Sequence, residues 1–264
     1  MINKISVAIP TYFSSNYITP LIKSIKKHTV VDEIVISDDS EDKSEFKKIE
    51  TIAKNLLQDS NLKLKVSQNN SKKGGFKNKY HCISLAKNEY VYQIDSDNIA
   101  NSKFFQYLQD KDFSEFNINT LYIPSKIYLF KKNKYERYLK RSNNVIYLKE
   151  DFLVSPQFLK DTLLNDKQFV MRRNINWLLN TGNPFFYKET YLNNLEEGLK
   201  IPEKKLSAAD AIAMIYFWLF FKNDICISKF LSHYHRTHKD SYWIREGSNS
   251  VNSVDYFRNK IKDL

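Results

Sequence analysis

The chain has 264 residues, a formal net charge of +11, 42% hydrophobic residues and 14% aromatic residues. This composition excludes a disordered chain, and the 5 glycines and 6 prolines exclude collagen-like sequence and long flexible linkers. The positive charge favours an anionic partner, such as nucleotide phosphates, acidic lipid or nucleic acid. Cys82 and Cys226 lie far apart in the sequence and are predicted to be buried free thiols in a reducing compartment.

Two apolar stretches bear on the location of the protein. The N-terminal stretch has only a short apolar run and no small-residue cleavage site, so we expect no signal peptide. The most apolar window, residues 211–221, is too short to cross a bilayer as a helix. We therefore expect a soluble cytoplasmic protein, with a peripheral position on the inner face of the plasma membrane as the alternative.

The first part of the chain alternates between apolar runs and segments of helical periodicity. The apolar runs predict strands at residues 5–9, 31–36, 62–66 and 90–94, with Pro10 ending the first strand. The periodic segments predict helices at residues 17–27, 46–57 and 76–86. This order predicts an α/β fold: a Rossmann-like, mostly parallel central sheet with helices on both faces.

Polar side chains follow three of these predicted strands at the point where each strand ends. They are Thr11 and Tyr12, then Asp38 and Asp39, then Asp95 and Asp97. Because the carboxyl ends of parallel strands lie at one edge of a sheet, these residues can meet in one crevice. Asp95 and Asp97 would repel one another unless a cation lay between them, and carboxylate oxygens suit Mg²⁺ or Mn²⁺. A solvated turn is the alternative interpretation.

A nucleotide in this crevice would need an unusual mode of binding, because the sequence has neither a GxGxxG turn after the first strand nor a P-loop. Tyr12 is predicted to stack on the base, and Asp38 or Asp39 to accept hydrogen bonds from base or ribose. A metal ion on Asp95 and Asp97 would bind the diphosphate.

Four motifs in this order resemble glycosyltransferase family 2, whose members have the GT-A fold. They are PTY at residues 10–12, EIVISDDSED at 33–42, a loop with lysines and a glycine pair at 68–75, and EYVYQIDSDN at 89–98. The second motif lacks the glycine usual in the family, and Lys79 and Tyr80 stand where the family has arginine and asparagine. The resemblance implies a bacterial, inverting, metal-dependent enzyme.

The strand ends and the resemblance together give a set of candidate site residues. Mn²⁺ or Mg²⁺ would be bound by Asp95, Asp97 and His238, because residues 234–241 resemble a family stretch that closes over the nucleotide. A surface loop with solvated histidines is the alternative for that stretch. The predicted nucleotide-binding residues are Pro10, Thr11, Tyr12, Asp38, Asp39, Gly74, Lys79, Asp95, Ser96 and Arg236.

Asp210 has two interpretations. The resemblance makes it the catalytic base, since the family carries its base near the start of this helix. Alternatively, Ser207 caps the helix and Asp210 stands at the third position, as in a capping box. In that case the base would lie among other carboxylates, such as Glu196, Glu197 or Glu203.

The second half of the chain predicts an acceptor-binding region. A strand-rich hairpin over residues 119–148 would give the sheet an antiparallel acceptor-side extension. Gly182 and Asn183 resemble the acceptor-side segment of the family, where a glycine lets substrate approach the backbone; an ordinary turn is equally compatible. The basic segment 131–141 is either a solvated surface or a patch for acidic lipid, and residues 242–264 are predicted to be a flexible lid.

These observations predict a single domain over residues 1–264, with a nucleotide-sugar half (1–100), an acceptor half (101–230) and a closing segment (231–264). The predicted activity is inverting transfer from a UDP-linked sugar to a hydroxyl of a glycan or lipid-linked acceptor, in bacterial surface polysaccharide or lipopolysaccharide biosynthesis. The alternative is a non-catalytic basic module that binds nucleotide, lipid surface or nucleic acid. Nucleic acid is not expected, since the lysines are scattered and no nucleic-acid motif is present.

Overall fold

The computed structural model describes residues 3–131, 145–164, 178–179, 182–238 and 247–264. The strands in these ranges are β1 (Ile5–Thr11), β2 (Val31–Asp38), β3 (Lys63–Gln68), β4 (Tyr90–Gln93), β5 (Ile99–Ala100), β6 (Thr120–Lys131), β7 (Val145–Tyr147), β8 (Phe152–Val154), β9 (Phe185–Tyr187) and β10 (Asp224–Thr237). The helices are α1 (Ile18–Ile25), α2 (Lys43–Leu57), α3 (Gly75–Ser84), α4 (Ser102–Gln109), α5 (Pro156–Leu164), α6 (Lys188–Leu195), α7 (Asp210–Phe220) and α8 (Ser248–Lys262).

The sheet confirms the predicted central architecture. Its strand order is β3-β2-β1-β4-β9-β6-β10-β5, and β1 pairs in parallel with both β2 and β4. Successive side chains of β1 point to opposite faces, as the strand period requires. Val7 and Ile9 belong to a buried cluster with α1, α2 and α4, whereas Ala8 belongs to a second cluster with α3, α6 and α7. Helices therefore cover both faces, which explains why the predicted strands read as continuous apolar runs.

Pro10 does not end β1, contrary to the sequence-based expectation. The strand continues to Thr11, and Pro10 lies opposite Ser37 of β2. The carbonyl of Ala8 accepts a hydrogen bond from Ile94, so Ala8 and, two residues later, Pro10 face the β4 side of the strand. The β1–β4 pairing has already ended at Ala8. The missing N–H of Pro10 therefore removes no ladder hydrogen bond.

The second half of the chain adds the predicted antiparallel extension. β9 lies between β4 and β6 and runs antiparallel to both. β7 pairs antiparallel with β6, which confirms the two arms of the predicted hairpin, and β10 runs parallel to β6 along most of its length. Residues 132–144, with most of the basic segment 131–141, lie outside the described residues.

The prediction of a flexible lid is wrong for residues 248–264, because most of this segment forms helix α8. Val254, Phe257 and Ile261 are buried in the core cluster that contains α7. Their spacing of three and four residues places them on one helix face, which the polar composition of the segment concealed. Residues 239–246 lie outside the described residues. In the described ranges, no helix has both the length and the apolar character to span a membrane.

Candidate active site

Lys79 joins two carboxylates that come from distant parts of the chain. Its Nζ lies 2.9 Å from Oδ1 of Asp95, which follows β4, and forms an ion pair with Oδ2 of Asp210, the first residue of α7. The side chains of Lys79 and Asp210 are 12% and 18% exposed. Because α3 and α7 pack on the same face of the sheet, the lysine reaches the carboxyl edge where Asp95 lies. The positive charge beside Asp95 in this structure is thus the Lys79 ammonium.

Charge and burial set the protonation of this group. Burial acts to lower the pKa of Lys79, but the charges of Asp210 and Asp95 outweigh burial and raise the pKa above its usual value. Lys79 is therefore a permanent cation. Burial raises the pKa of Asp95 to about 6, although the Lys79 charge opposes this rise. Asp95 consequently changes charge close to neutral pH in the absence of further cations.

Asp210 does not belong to a capping box. The N-cap of α7 is Ala209, which offers no side-chain hydrogen bond, and Ser207 lies two residues before it. Ala208 has a φ of 49°, in the left-handed region that is unfavourable for an alanine. This bend delivers Asp210 to the first turn of the helix, where its negative charge suits the helix dipole. The capping interpretation is wrong, and Asp210 faces Lys79 instead.

Gly182 packs directly against the Lys79–Asp210 pair. Its φ is 60°, and a Cβ at this position would lie 2.9 Å from Nζ of Lys79 and 3.7 Å from Oδ2 of Asp210. A larger residue would be strained by its backbone and would displace the lysine. The approach of substrate to this glycine stays a prediction, and in this structure the Lys79 ammonium lies next to it. Asn180 and Thr181 lie outside the described residues.

Asn183 holds the loop after β4 and has no exposed surface. Its Oδ1 accepts a hydrogen bond of 2.8 Å from the backbone N–H of Asp95. Its Nδ2 lies 3.0 Å from Nε2 of His233, whose pKa burial lowers well below the usual value. The neutral imidazole accepts this hydrogen bond. Asn183 was predicted to contact the acceptor; in the described structure it positions Asp95.

Asp97 has a partner of its own. Its Oδ2 lies 2.8 Å from Nε2 of His238, the residue that the family resemblance makes a metal ligand together with Asp95 and Asp97. Burial acts to raise the pKa of Asp97, but the His238 hydrogen bond and the charges of His235 and His238 outweigh burial and lower it. The His238 ring lies 4.9 Å from the Tyr17 ring. Asp95 and Asp97 are thus each paired with a different basic residue.

Arg236 and Ser96 support the Asp97 loop from two sides. The backbone N–H and Nε of Arg236 donate hydrogen bonds to Asn98 Oδ1, at 3.1 Å, and to the Asp97 carbonyl, at 2.9 Å. The Ser96 hydroxyl donates to Ser14 Oγ at 2.7 Å. Arg236 and Ser96 are both buried. Both were predicted to bind nucleotide, and in the described structure both hold the loop.

The carboxylates at the end of β2 are bound to the chain itself. Asp38 is completely buried, and its Oδ1 accepts hydrogen bonds from Thr11 at 2.8 Å and from Ser40 at 2.9 Å. Asp39 accepts hydrogen bonds from Asn69 Nδ2 at 2.9 Å and from the backbone N–H groups of Lys73 at 2.7 Å and Gly74 at 2.8 Å, so it shapes the glycine loop. Gly74, with a φ of 82°, is the N-cap of α3.

Tyr12 lies at the mouth of the same crevice. Its ring is half-buried, and the ammonium of Lys72 lies 5.1 Å from the ring centroid. Pro10 and Thr11 are buried in β1 behind it. Of the residues predicted to bind nucleotide at the ends of β1 and β2, Tyr12 is thus the one whose side chain reaches the surface of the described structure.

A family model described as "Glycosyl transferase family 2" matches residues 6–159. The chain belongs to glycosyl transferase family 2. A search of curated proteins gave no match. The family predicted from the four motifs is confirmed.

Solved structures show the same fold. S. aureus TarS 1–349 in complex with UDP-GlcNAc matches with a TM-score of 0.57 and 22% identity, over 90% of this chain and 60% of that chain. Another structure of S. aureus TarS 1–349 matches with a TM-score of 0.56 and 22% identity, over 98% of this chain and 69% of that chain. The mannosyltransferase PcManGT from Pyrobaculum calidifontis, in complex with GDP-Man and Mn²⁺, matches with a TM-score of 0.51 and 12% identity. The match covers 92% of this chain and 59% of that chain. At these identities the likeness shows the GT-A fold, which confirms the predicted fold.

The donor set of this family 2 chain is chemically suited to a hard divalent ion. Asp95 and Asp97 keep 29% and 28% of their side chains exposed, and the pairings with Lys79 and His238 use one oxygen of each. Carboxylate oxygens suit Mg²⁺ and Mn²⁺, and imidazole also binds first-row metal ions. No three His, Cys, Asp or Glu residues of the described ranges form a ready-made metal cage. A metal ion would therefore have to share Asp95 with Lys79 and to separate the direct contact between Asp97 and His238.

Sequence analysis missed Asn78. This buried residue accepts hydrogen bonds from Ser37 Oγ at 2.7 Å and Asn69 Nδ2 at 2.9 Å, and donates to the Thr11 and Ser37 carbonyls. It thereby fixes α3, and Lys79 with it, to the ends of β1 and β2. One signal was available, since Asn78 is a polar residue on the apolar face of a predicted helix.

The space around Lys79 is narrow in this conformation. About 190 Å³ between the residues that line it holds no atoms, and this volume includes space open to solvent. A nucleotide sugar would have to widen this space. The lining residues are Phe76, Lys79, Gln93, Gly182, Tyr191, Asp210, Ala211 and Met214.

Proposed function

We propose that this chain is a glycosyltransferase that moves a sugar from a nucleotide-sugar donor to a hydroxyl of an acceptor, with Asp210 as the catalytic base. The observation that carries the proposal is the position of the Asp210 carboxylate. It lies in the crevice at the carboxyl edge of the sheet and is joined to Asp95 through one ammonium group. Family membership and the GT-A fold support the same assignment.

The proposed chemistry is a single displacement with inversion. The acceptor oxygen forms a bond to the anomeric carbon as the bond to the diphosphate breaks, and the diphosphate leaves with the electron pair. Asp210 takes the proton of the attacking hydroxyl. Lys79 forms an ion pair with Asp210 and thereby positions this carboxylate.

The leaving diphosphate needs positive charge. Asp95, Asp97 and His238 would hold Mn²⁺ or Mg²⁺, which would neutralise the diphosphate when bound. Lys79 stands 2.9 Å from Asp95 and supplies a further positive charge at the same edge of the sheet. His238 and Arg236 orient the loop that carries Asp97, through the contacts given above.

The finer assignments belong to the same proposal. The donor is a UDP-sugar, held at the ends of β1 and β2 beside Tyr12. The acceptor is a surface glycan or its lipid-linked precursor, in bacterial polysaccharide or lipopolysaccharide synthesis, met in the cytoplasm or at the inner face of the plasma membrane. The division into residues 1–100, 101–230 and 231–264 of one domain is also part of the proposal.

A donor-consumption assay tests the proposal. UDP-, GDP-, CDP- and ADP-sugars are incubated with the purified chain with and without Mn²⁺, and released nucleoside diphosphate is measured. We expect release from one nucleotide class, increased by Mn²⁺ and by an acceptor. If no donor is consumed, and no nucleoside diphosphate raises the melting temperature, the proposal fails in favour of a module that binds some other anion.

A further inference from the structure

Gln93 carries a buried amide oxygen that no described residue satisfies. This residue is the last of β4, two positions before Asp95, and it has no exposed surface. Its Oε1 atom is shielded from solvent and has no hydrogen-bond partner among the described residues. Leaving a buried amide oxygen unpaired costs free energy, so this atom calls for a hydrogen-bond donor that the described structure does not supply.

The orientation of the Gln93 amide follows from its contact with Asp95. Gln93 Nε2 donates a hydrogen bond of 3.2 Å to Oδ1 of Asp95. An ionised carboxylate can only accept hydrogen bonds, so the amide nitrogen has to face Asp95 and the amide oxygen has to face away from it. The backbone fixes this position, because the Gln93 N–H donates to the Pro184 carbonyl at 3.0 Å and Gln93 pairs with Ala8 of β1.

The Gln93 side chain borders the narrow space around Lys79. Val91, two positions earlier in β4, belongs to the core cluster that contains α3 and α7, so the strand period places Gln93 on the same face of the sheet. Lys79, Gly182 and Asp210 line this space together with Gln93. The amide therefore borders the same space as the carboxylate that we propose as the catalytic base.

Comparison with its neighbours distinguishes Gln93. Among the residues that line this space, it is the one with a shielded polar atom that lacks a partner in the described structure. Lys79 and Asp210 are paired with one another. Glu203 also has shielded oxygens without described partners, and burial raises the pKa of its carboxyl group to about 7, but Glu203 does not line this space.

The contact with Asp95 indicates which part of the donor reaches Gln93. Asp95 is proposed to hold the metal ion at the diphosphate, and the transferred sugar is the group attached to that diphosphate. A sugar hydroxyl can donate a hydrogen bond to an amide oxygen, whereas the ionised oxygens of a diphosphate cannot. A sugar hydroxyl therefore supplies what Oε1 lacks. Met214 lines the same space, and its flexible side chain can move when a sugar ring enters.

We propose that Gln93 is a specificity-determining residue for the transferred sugar, and that its Oε1 accepts a hydrogen bond from one hydroxyl of that sugar. A donor without this hydroxyl leaves Oε1 unpaired and binds more weakly. The same amide links the sugar to Asp95, because its Nε2 donates to Oδ1 of Asp95. The inference rests on the proposed function, in which a nucleotide sugar binds in this crevice.

Calorimetric titration of the parent and of Gln93→Met, at fixed Mn²⁺, tests the inference. The probes are UDP and whichever of UDP-glucose, UDP-galactose and UDP-N-acetylglucosamine the parent consumes fastest. Methionine has a similar length but offers no amide, so we expect the affinity for the sugar nucleotide, relative to UDP, to fall at least about tenfold. Taking the ratio to UDP removes effects that act through Asp95, since UDP carries the diphosphate but no sugar.

Deoxy analogues of the same sugar nucleotide identify the hydroxyl. Removing the hydroxyl that Gln93 binds should weaken binding to the parent about tenfold and leave the affinity of Gln93→Met unchanged, because both changes delete the same hydrogen bond. Removing any other hydroxyl should weaken binding by the same factor in both proteins.

The matched control is Met214→Leu, which reshapes an apolar wall of the same space and leaves the amide in place. This variant should discriminate among the deoxy analogues as the parent does. Parental ratios in a folded Gln93→Met, or equal binding of every deoxy analogue to the parent, would overturn the inference and leave the proposed function standing. If the parent binds neither UDP nor a sugar nucleotide, both fail. Melting curves taken with the titrations show which variants are folded.

Discussion

Asp95 and Asp210 share one cation, the ammonium of Lys79, although Asp95 follows β4, Asp210 begins α7 and the two lie far apart in the sequence. The residue predicted to bind nucleotide therefore also links the predicted metal site to the predicted base. A metal ion bound to Asp95 would weaken the ion pair between Asp95 and Lys79. The Lys79 ammonium would then interact more strongly with Asp210 or with the diphosphate. Binding at one end of the crevice is thus coupled to the charge at the other.

Replacing Lys79 with methionine should impair both folding stability and transfer. The variant leaves two facing carboxylates without their cation, and removing one partner of a buried pair typically costs about 3–5 kcal/mol. We expect a lower melting temperature and at least a hundredfold slower transfer, roughly. Lys79→Arg, which restores the charge, should recover most of the stability. Equal melting temperatures for Lys79→Met and the parent would contradict the coupling.

Replacing Asp210 with asparagine distinguishes a catalytic base from a residue that only stabilises the structure. The asparagine keeps the size of the side chain but cannot accept a proton, and general-base catalysis is worth roughly 10²–10⁴-fold in rate. We expect kcat to fall at least about a hundredfold, while nucleotide affinity stays near the parental value. Lys79 retains Asp95 as a partner, so the fold should persist. Asp224→Asn, at the exposed start of β10, is the control.

Near-parental kcat in Asp210→Asn, together with a lowered melting temperature, would remove Asp210 from the chemistry. The search would then turn to Glu196, Glu197 and Glu203. Among these, Glu203 is the one with shielded oxygens that lack partners in the described structure.

Asp97→Ala should abolish the Mn²⁺-dependent part of nucleotide binding. The change removes one of the two carboxylates that would hold the ion and also leaves His238 without its 2.8 Å partner. We expect UDP titrations with and without Mn²⁺ to become indistinguishable, with little change in melting temperature, since the side chain is 28% exposed. Asp95→Ala should have the same effect on metal dependence. Unchanged Mn²⁺ dependence in Asp97→Ala would place the ion elsewhere.

Glu203 should make the stability of the protein depend on pH. Its pKa is about 7 in the folded chain, against 4.5 as the ordinary value, so the folded state holds this proton more tightly than the unfolded state. The contribution is fully present below about pH 4.5 and is lost as the pH rises through about 7. The side chain of Glu203→Gln cannot titrate, so this variant does not lose this contribution to stability as the pH rises. We therefore expect this variant to gain melting temperature over the parent at pH 8 and to gain less at pH 5.

Melting curves of the parent and Glu203→Gln between pH 5 and 8 measure this difference. Subtracting one series from the other isolates Glu203 from Asp95, whose pKa of about 6 is common to both proteins. A difference in melting temperature that stays constant over this range would show that the carboxyl group is not shielded as described.

The sequence predicted the parts of the site that depend on local pattern. Strand ends and the Asp95–Asp97 pair follow from apolar runs and from motifs of a few residues, whereas the assignment of His238 to this site came from the family resemblance of residues 234–241. The sequence did not predict the contacts of Lys79, Asn183 and Arg236, because each of these residues pairs with a residue far away in the chain. The Lys79–Asp210 pair spans 131 positions and the Arg236–Asp97 bond spans 139. No local pattern records which buried side chains will meet across such distances.

The position of β9 has a consequence for how the protein is made. Strand β4 is synthesised early, but one of its neighbours, β9, begins only at Phe185. The hydrogen bond from the Asp95 backbone to Asn183 likewise cannot form until Asn183 has been synthesised. At ribosomal rates of ~5–20 residues per second, an unpaired edge of β4 waits for on the order of 10 s. Exposed strand edges invite pairing with other chains. The nascent chain therefore passes through an aggregation-prone interval that ends when β9 emerges, and chaperone supply during expression should raise the soluble yield.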